Sequence, residues 1–258
     1  METSGKQETA AAIYQYHIRE CPDMFICNMV SFIRRICMSL QYQTSVQWRL
    51  GYITQHRFMV PIVFTKFDGE DQHYQIFNNA RSDYYAMTTW ENGYPAATGI
   101  GANLGGILVD LDAAVFSNPD CYATPIDNKL QVAAHAYSEG VLEPAHSKKT
   151  TPKFERAKSM TFGEREVIYI SGTAAIRGEE SLIGVGLERQ LHITMENIAE
   201  LIGEAKLKML RVYLKEKSFF EEAERLLNAY ELNIPISYMW ADVCRDELLI
   251  EIEGIAVL

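Results

Sequence analysis

The alternation of hydrophobic and polar positions is clearest in the last hundred residues of the chain. Two segments, Glu166–Gly172 (EVIYISG) and Lys206–Leu214 (KLKMLRVYL), predict strands. Two further strands are predicted over Ile234–Ala241 and Glu247–Val257. A turn is expected at Gly178.

Helical periodicity separates these strands. Gly186–Ala205 places apolar side chains at helical spacing and predicts an amphipathic helix. A second helix is expected from Ser218, a candidate N-cap that Glu221 would complete as a capping box. The resulting order of strands and helices predicts an α+β fold, with helices packed on one face of a mixed sheet.

The last predicted strand has two chemically different faces. In LLIEIEGIA, Ile250 and Ile252 point to one side, while Glu251 and Glu253 point to the other. The isoleucines suit the side covered by helices. The two glutamates therefore face solvent, a subunit contact or a functional site.

The first half of the chain is less regular. Asp23–Leu40 predicts a helix, and Phe58–Phe67 predicts an edge or bulged strand because it contains Pro61. Asn92-Gly93 predicts a turn. A strand-like run, ILVDLDAAVF, follows at residues 107–116, and the proline-containing stretch from 117 to 153 is expected to be an irregular connection.

Composition narrows the function classes. The chain has 258 residues, 48 % of them hydrophobic, and a formal net charge of −10, which argues against nucleic acid as a partner. Five cysteines at irregular spacing, without a CxxC pair, argue against a disulfide framework or a zinc site. No apolar run reaches the length of about 18 residues that a membrane span needs. The polar start, METSGKQETAAA, lacks the core of a signal peptide, so we expect a cytoplasmic protein.

Three segments of the carboxyl-terminal half resemble the RidA/YjgF family. They are YISGTAAI, GLERQLHITMENIAELI and LLIEIEGIA, and the resemblance covers residues 167–257. The family consists of small α+β domains that form trimers with ligand sites between subunits. The resemblance therefore implies a homo-oligomer, with a trimer favoured.

A longer series of segments is similar to chorismatases, which contain two RidA-like domains in one chain. In order, the segments are Tyr74–Arg81 (YQIFNNAR), Pro95–Gly101 (PAATGIG), Gln131–Tyr137 (QVAAHAY), Phe154–Ala157 (FERA), Ala241–Arg245 (ADVCR) and finally Glu251. This resemblance implies two related lobes, the first abbreviated. The expected division is residues 1–120, a proline-rich connection at 121–153, and a carboxyl-terminal RidA-like domain at 154–258.

The chorismatase resemblance implies an enzyme that cleaves the enolpyruvyl ether of chorismate. It would release pyruvate and a hydroxybenzoate or dihydroxy-cyclohexadiene acid, with no metal or organic cofactor. Protonating an enol ether needs an acid, and Glu251 occupies the place of the family's catalytic glutamate. Cys244 resembles the mark of the 3-hydroxybenzoate subtype. Residues expected to bind the substrate carboxylates and ring are Arg81, Tyr137, Arg156 and Arg245.

Departures from these families keep alternatives open. Leu130 stands where chorismatases usually have an arginine, and the family's chains are longer at the front. Ile236 stands where RidA deaminases carry the arginine that binds the substrate carboxylate. One alternative is therefore a RidA-like imine or enamine deaminase. Another is a non-catalytic protein that binds a small carboxylate. Separately, the glutamate, each arginine and the cysteine could be ordinary surface or packing residues.

Overall fold

The computed structural model describes residues 44–51, 67–87, 89–101, 108–115, 120–146 and 148–258. The predicted helix Asp23–Leu40 lies outside these residues, as does the predicted strand Phe58–Phe67 except for its last residue. No helix in the described part is long and apolar enough to cross a membrane.

The described elements alternate between strands and three α-helices. The strands are β1 (Thr44–Gly51), β2 (Phe67–Asp68), β3 (Asp71–Gln72), β4 (Ala96–Gly99), β5 (Leu108–Val115), β6 (Cys121–Ile126), β7 (Ala157–Phe162), β8 (Arg165–Ala174), β9 (Ile176–Arg177), β10 (Glu180–Ser181), β11 (Lys206–Leu214), β12 (Ile236–Trp240) and β13 (Ile250–Val257). The helices are α1 (His73–Tyr85), α2 (Gly186–Ile202) and α3 (Phe220–Asn228).

A six-stranded sheet forms the centre of the described structure. Its strand order is β12-β11-β13-β8-β7-β6, and every neighbouring pair is antiparallel except β11 and β12. A three-stranded sheet, β4-β1-β5, approaches it at β8. There the N–H of Ala97 donates to Ser171 Oγ at 2.9 Å, and the N–H of Gly172 donates to Thr98 Oγ1 at 2.9 Å. These bonds fix β4 beside β8.

The helices α2 and α3 cover one face of the six-stranded sheet. Leu191, Ile198 and Leu227 of the helices pack in one buried cluster with Ile250 and Ile252 of β13. Burying each such side chain stabilises the fold by about 1.5–3 kcal/mol. The predicted α+β architecture, with helices on one face, is confirmed.

Two helix boundaries differ from the predictions. Helix α2 ends at Ile202, before the predicted end at Ala205, because Gly203 adopts a positive φ of 54° that ends the helix. The predicted N-cap role of Ser218 is wrong. Ser218 lies within a 3₁₀ turn and donates its hydroxyl to Glu216 Oε2 at 3.1 Å, and α3 begins at Phe220 without a side-chain cap.

Part of the predicted irregular connection is a strand. β6 contains Pro125, but among the described strands it pairs with β7 alone, so a residue without an N–H is tolerated at this sheet edge. The rest of the connection is irregular, apart from the 3₁₀ turns Ala134–Ala136 and Glu139–Val141. The turn expected at Gly93 is present, with φ 72°, and so is the one at Gly178, with φ 59°.

Candidate active site

All six residues singled out from the sequence line one cavity. The space inside it for water-sized molecules is about 50 Å³, and the empty space counted out to the opening to solvent is about 720 Å³. Different elements supply the residues: helix α1, the irregular segment after β6, the start of β7, the loop before β13, and β13 itself. The six are Arg81, Tyr137, Arg156, Cys244, Arg245 and Glu251.

Glu251 projects into the cavity from the sheet face that the helices leave uncovered. Its side chain is almost fully buried, with 4 % exposed. Burial raises the pKa of Glu251 to about 8, and the nearby charge of Glu253 adds to this, whereas Arg156 acts in the opposite direction. The carboxyl group is therefore largely protonated at neutral pH and can serve as a proton donor.

Gly172 of β8 lies directly against that carboxyl group. A Cβ atom at this position would be 1.9 Å from Glu251 Oε1 and 2.9 Å from its Cδ. It would also lie 3.0 Å from Cγ2 of Thr98. The absence of a side chain at Gly172 therefore makes the space that the acid occupies.

Two guanidinium groups lie over the ring of Tyr137. Cζ of Arg156 is 5.3 Å from the ring centroid, and Cζ of Arg245 is 5.2 Å from it. Arg156 donates to the carbonyl of Val132 at 2.8 Å and to the Tyr137 hydroxyl. The aromatic ring thus holds both cations in place by cation–π attraction.

Backbone and hydroxyl acceptors anchor Arg245. Its Nη1 donates to the carbonyl of Glu179 at 2.9 Å and to Ser181 Oγ at 3.0 Å. Neither acceptor carries a charge. The positive charge of Arg245 is therefore not cancelled by these hydrogen bonds and remains available to an anion in the cavity.

Arg81 is the third cation of the cavity. Its Nη2 donates to Asn78 Oδ1 at 2.7 Å, and its guanidinium lies 5.0 Å from the ring centroid of Phe77 and 5.9 Å from that of Phe154. Its Nε is buried and has no hydrogen-bond partner among the described residues. This leaves one donor of Arg81 unused.

The cavity carries more positive than negative charge. Besides the largely neutral Glu251, its other acid is Glu143, which is half-buried beside Arg245. Burial raises the pKa of Glu143, and Arg245 works against that effect. Three permanently charged guanidinium groups therefore face the largely neutral Glu251 and one further carboxyl group, a balance that favours a ligand with more than one negative charge.

Cys244 lines the cavity as a neutral thiol. Burial raises the pKa of its thiol well above the usual range, and the nearby Glu251 adds to the rise. Its side chain packs against the apolar cluster that contains Val243 and Leu248. Cys244 can shape the cavity or donate a weak hydrogen bond, but it is poorly suited to be a thiolate nucleophile.

One face of helix α1 presents, beside the predicted Arg81, three residues that the sequence analysis gave no role. Tyr74, Phe77, Asn78 and Arg81 are spaced three or four residues apart and all line the cavity. Burial raises the pKa of the Tyr74 hydroxyl far above its usual range, so this group is neutral. The helical spacing within YQIFNNAR was the signal that could have identified them.

The two positions that depart from the families lie away from the cavity lining. Leu130 is exposed, and its carbonyl accepts the N–H of Gly178 at 2.9 Å. Ile236 packs against the core beneath α2 and α3. Within the described residues, no group of three or more His, Cys, Asp or Glu side chains is arranged to hold a metal ion.

Comparisons with known proteins give a consistent relationship. No protein-family model matches the chain. It is 28 % identical over 204 residues to a 3-hydroxybenzoate synthase of Streptomyces hygroscopicus, covering 71 % of this chain and 57 % of that protein. It is also 28 % identical over 175 residues to a chorismatase of the same organism, covering 62 % of this chain and 48 % of the relative. The chain thus spans about half the length of the curated relatives that it matches.

A solved structure shows the same architecture. A chorismatase crystal structure superposes with a TM-score of 0.74 and 22 % sequence identity, covering 91 % of this chain and 70 % of that one. The fold is therefore the α+β fold of that chorismatase. More specifically, the chain is chorismatase-like in fold and in sequence, as its motifs predict.

Proposed function

We propose that this protein cleaves the enolpyruvyl ether of chorismate and releases pyruvate. The observation that carries the proposal is the cavity in which a buried, protonated Glu251 lies among three arginines, Arg81, Arg156 and Arg245. The similarity to a 3-hydroxybenzoate synthase and to chorismatases supports chorismate as the substrate.

The proposed reaction begins with proton transfer from Glu251 to the methylene carbon of the enol ether. The adjacent carbon then carries oxocarbenium character, which the Glu251 carboxylate stabilises. In the hydrolytic route, water adds to this carbon and returns a proton to Glu251. The resulting hemiketal collapses by breaking the bond between its central carbon and the ring oxygen. The hemiketal hydroxyl becomes the keto group of pyruvate, its proton passes to the ring oxygen, and pyruvate and the ring alcohol leave. Attack by a ring hydroxyl instead of water is the route expected to lead to 3-hydroxybenzoate.

The arginines would bind the two carboxylates of the substrate. Arg81 has an unused buried Nε donor, and Arg245 is anchored only by uncharged acceptors, so both can pair with a carboxylate. Tyr137 would act by fixing the positions of Arg156 and Arg245, since both guanidinium groups lie over its ring.

Cys244 bears on which product forms. Because its thiol is neutral and lies in the cavity with Glu251, we assign it a role in shaping the space beside the reacting group. The proposal follows the subtype in which a cysteine at this place accompanies 3-hydroxybenzoate formation. We also propose that the protein is cytoplasmic and that it forms a homotrimer. Sedimentation velocity of the purified chain would test the trimer.

Pyruvate release is the direct test. The assay incubates each protein with chorismate and detects pyruvate with lactate dehydrogenase. It compares wild type with Glu251→Gln and with the control Glu164→Gln, which alters an exposed turn between β7 and β8. We expect Glu251→Gln to lose at least about 100-fold in turnover and the control to match wild type. Absence of pyruvate with folded wild type would overturn the proposal.

The same samples separate an enzyme from a binding protein. Chorismate that raises the melting temperature without any turnover would indicate a carboxylate-binding protein. Ammonia release from an enamine-generating system would instead indicate a RidA-type deaminase, against which Ile236 argues.

A further inference from the structure

We propose that Glu253 is a positioning residue that keeps Glu251 in its acid form by holding a fixed negative charge beside it. Arg211 and Tyr213 in turn hold that charge on Glu253. The inference deepens the proposed function and rests on it only for its effect on catalysis.

The two glutamates share one face of β13. They are two residues apart, so their side chains project in the same direction at a spacing of about 7 Å. Both are almost fully buried, Glu251 with 4 % and Glu253 with 2 % exposed. Burial raises the pKa of Glu251, and a negative charge on Glu253 at this separation raises it further, because two nearby negative charges in a buried site repel each other.

The neighbouring strand decides which glutamate is ionised. In the β11–β13 register, Arg211 is opposite Glu253 and Tyr213 is opposite Glu251. Arg211 Nη1 lies 2.5 Å from Glu253 Oε1, a charge-assisted hydrogen bond that favours the carboxylate. The Tyr213 hydroxyl does not turn to the residue opposite it but donates to the same Oε1 of Glu253 at 2.9 Å. Both donors therefore support a negative charge on Glu253.

The negative charge of Glu253 is only partly neutralised by its hydrogen-bond donors. Its second oxygen, Oε2, is buried without a hydrogen-bond partner among the described residues. Arg211 has 24 % of its side chain exposed, so water screens part of its charge. A negative field from Glu253 therefore reaches Glu251.

The other groups around Glu251 do not provide this field. Tyr74 of α1, Cys244 of the loop before β13 and Tyr213 of β11 interact electrostatically with Glu251, and burial raises the pKa of each far above neutrality. These three groups are therefore uncharged. Arg156 is the cation among the groups that act on Glu251, and it favours ionisation of the carboxyl. Glu253 is thus the negative charge that opposes Arg156.

A titration of the Glu251 carboxyl tests the inference directly. The protein is labelled with ¹³C at the glutamate carboxyl carbons, and the Glu251 resonance is identified by its loss in Glu251→Gln. Its pH dependence is then followed by NMR in wild type, in Glu253→Gln and in the exposed-turn control Glu164→Gln. We expect Glu253→Gln to lower the Glu251 titration midpoint by about one pH unit or more, and the control to leave it unchanged.

Two more variants separate charge from packing. Glu253→Asp keeps the charge and should hold the midpoint high. Glu253→Met removes the charge without burying an amide, so it replaces Glu253→Gln if that variant does not fold. In active enzyme, the alkaline limb of the pH–rate profile should move down with the NMR midpoint.

The outcomes distinguish this inference from the proposed function. A folded, neutral Glu253 variant in which Glu251 titrates as in wild type overturns the inference, even if pyruvate is released. A lowered midpoint in a protein that does not cleave chorismate supports the inference and overturns the proposed function instead.

Discussion

The Glu251 carboxyl of β13 lies diagonally over Gly172 of β8, since the strand partner of Glu251 is Ala174, and the glycine provides the volume in which that carboxyl lies. A Cβ on Gly172 would approach Oε1 to 1.9 Å, a distance that no pair of unbonded atoms tolerates. The Glu251 carboxyl group would have to move away from such a Cβ. The Cβ itself has no room on the other side, because Cγ2 of Thr98 lies there and Thr98 Oγ1 accepts the N–H of Gly172. The position of the acid therefore depends on a residue that has no side chain.

Gly172→Ala is expected to lower turnover more than it lowers stability. Displacing the acid by about 1 Å should reduce kcat about 100-fold, because proton transfer requires hydrogen-bond reach. Overpacking should cost about 1–3 kcal/mol of unfolding free energy. Steady-state pyruvate release and urea unfolding measure the two effects. Gly140→Ala, which adds a Cβ with 3.8 Å of space beside the Ser138 side chain, is the matched control and should change neither quantity appreciably.

Glu251→Gln is expected to stabilise the protein increasingly as pH rises. The folded pKa of Glu251, about 8, lies above that of an unfolded glutamate, so the stability contributed by the neutral carboxyl is complete below about pH 4 and is lost as pH rises through 8. The glutamine amide stays neutral and escapes this loss. The difference in melting temperature between variant and wild type should therefore grow from pH 5 to 8 and level off above that. The gain in unfolding free energy of the variant over wild type should reach on the order of a few kcal/mol, since each unit of pKa shift corresponds to about 1.4 kcal/mol.

The opposite trend would show that Glu251 is ionised at low pH. In that case, the variant would be less stable than wild type at pH 7. Glu164→Gln, in an exposed turn, provides the baseline for removing one negative charge from the chain.

Neutralising an arginine of the cavity should weaken substrate binding. Arg81→Met and Arg245→Met are each expected to reduce kcat/KM for chorismate at least tenfold, because each removes a cation that can pair with a carboxylate. Arg189→Met, on the exposed surface of α2, is the matched control. Isothermal titration with a non-reactive cyclic dicarboxylate checks whether the loss lies in binding. Unchanged affinity in both cavity variants would contradict the assigned roles.

Cys244→Ala should retain pyruvate release within about tenfold of wild type. The reason is that a thiol whose pKa is raised by burial is protonated and supplies no nucleophile. The ratio of the cyclic products, measured by chromatography, is where a change is expected, since the alanine enlarges the cavity next to Glu251. A loss of turnover comparable to that of Glu251→Gln would assign Cys244 a direct catalytic role.

The sequence by itself determined the elements of the carboxyl-terminal half and the two faces of the last strand. The alternation of Ile250 and Ile252 with Glu251 was enough to place the isoleucines under the helices and the glutamate on the other side, because the side chains of a strand alternate between faces. The bounds of β11 were predicted residue for residue, since the segment is bounded on both sides by polar turns.

Local signals were less reliable where tertiary contacts compete with them. The capping pattern at Ser218 is overridden by a 3₁₀ turn, and Pro125 did not prevent a strand because its strand forms the sheet edge. The helix face that presents Tyr74, Asn78 and Arg81 has few apolar residues, so hydrophobic periodicity did not reveal it. Only the spacing of these polar residues could have done so.

Only the tertiary structure decided the chemistry of the site. Arg81 and Glu251 are 170 positions apart, and nothing local to either residue shows that they line one cavity. The protonation of Glu251 depends on burial, on the charge of Glu253 and on the opposing charge of Arg156, which come from packing. Local periodicity depends on residues that are close together in the sequence. Desolvation and charge coupling arise only when distant segments pack together and exclude water. For that reason the sequence could point to Glu251 as a candidate acid, but only the assembled structure brings together the burial and the charges that raise its pKa.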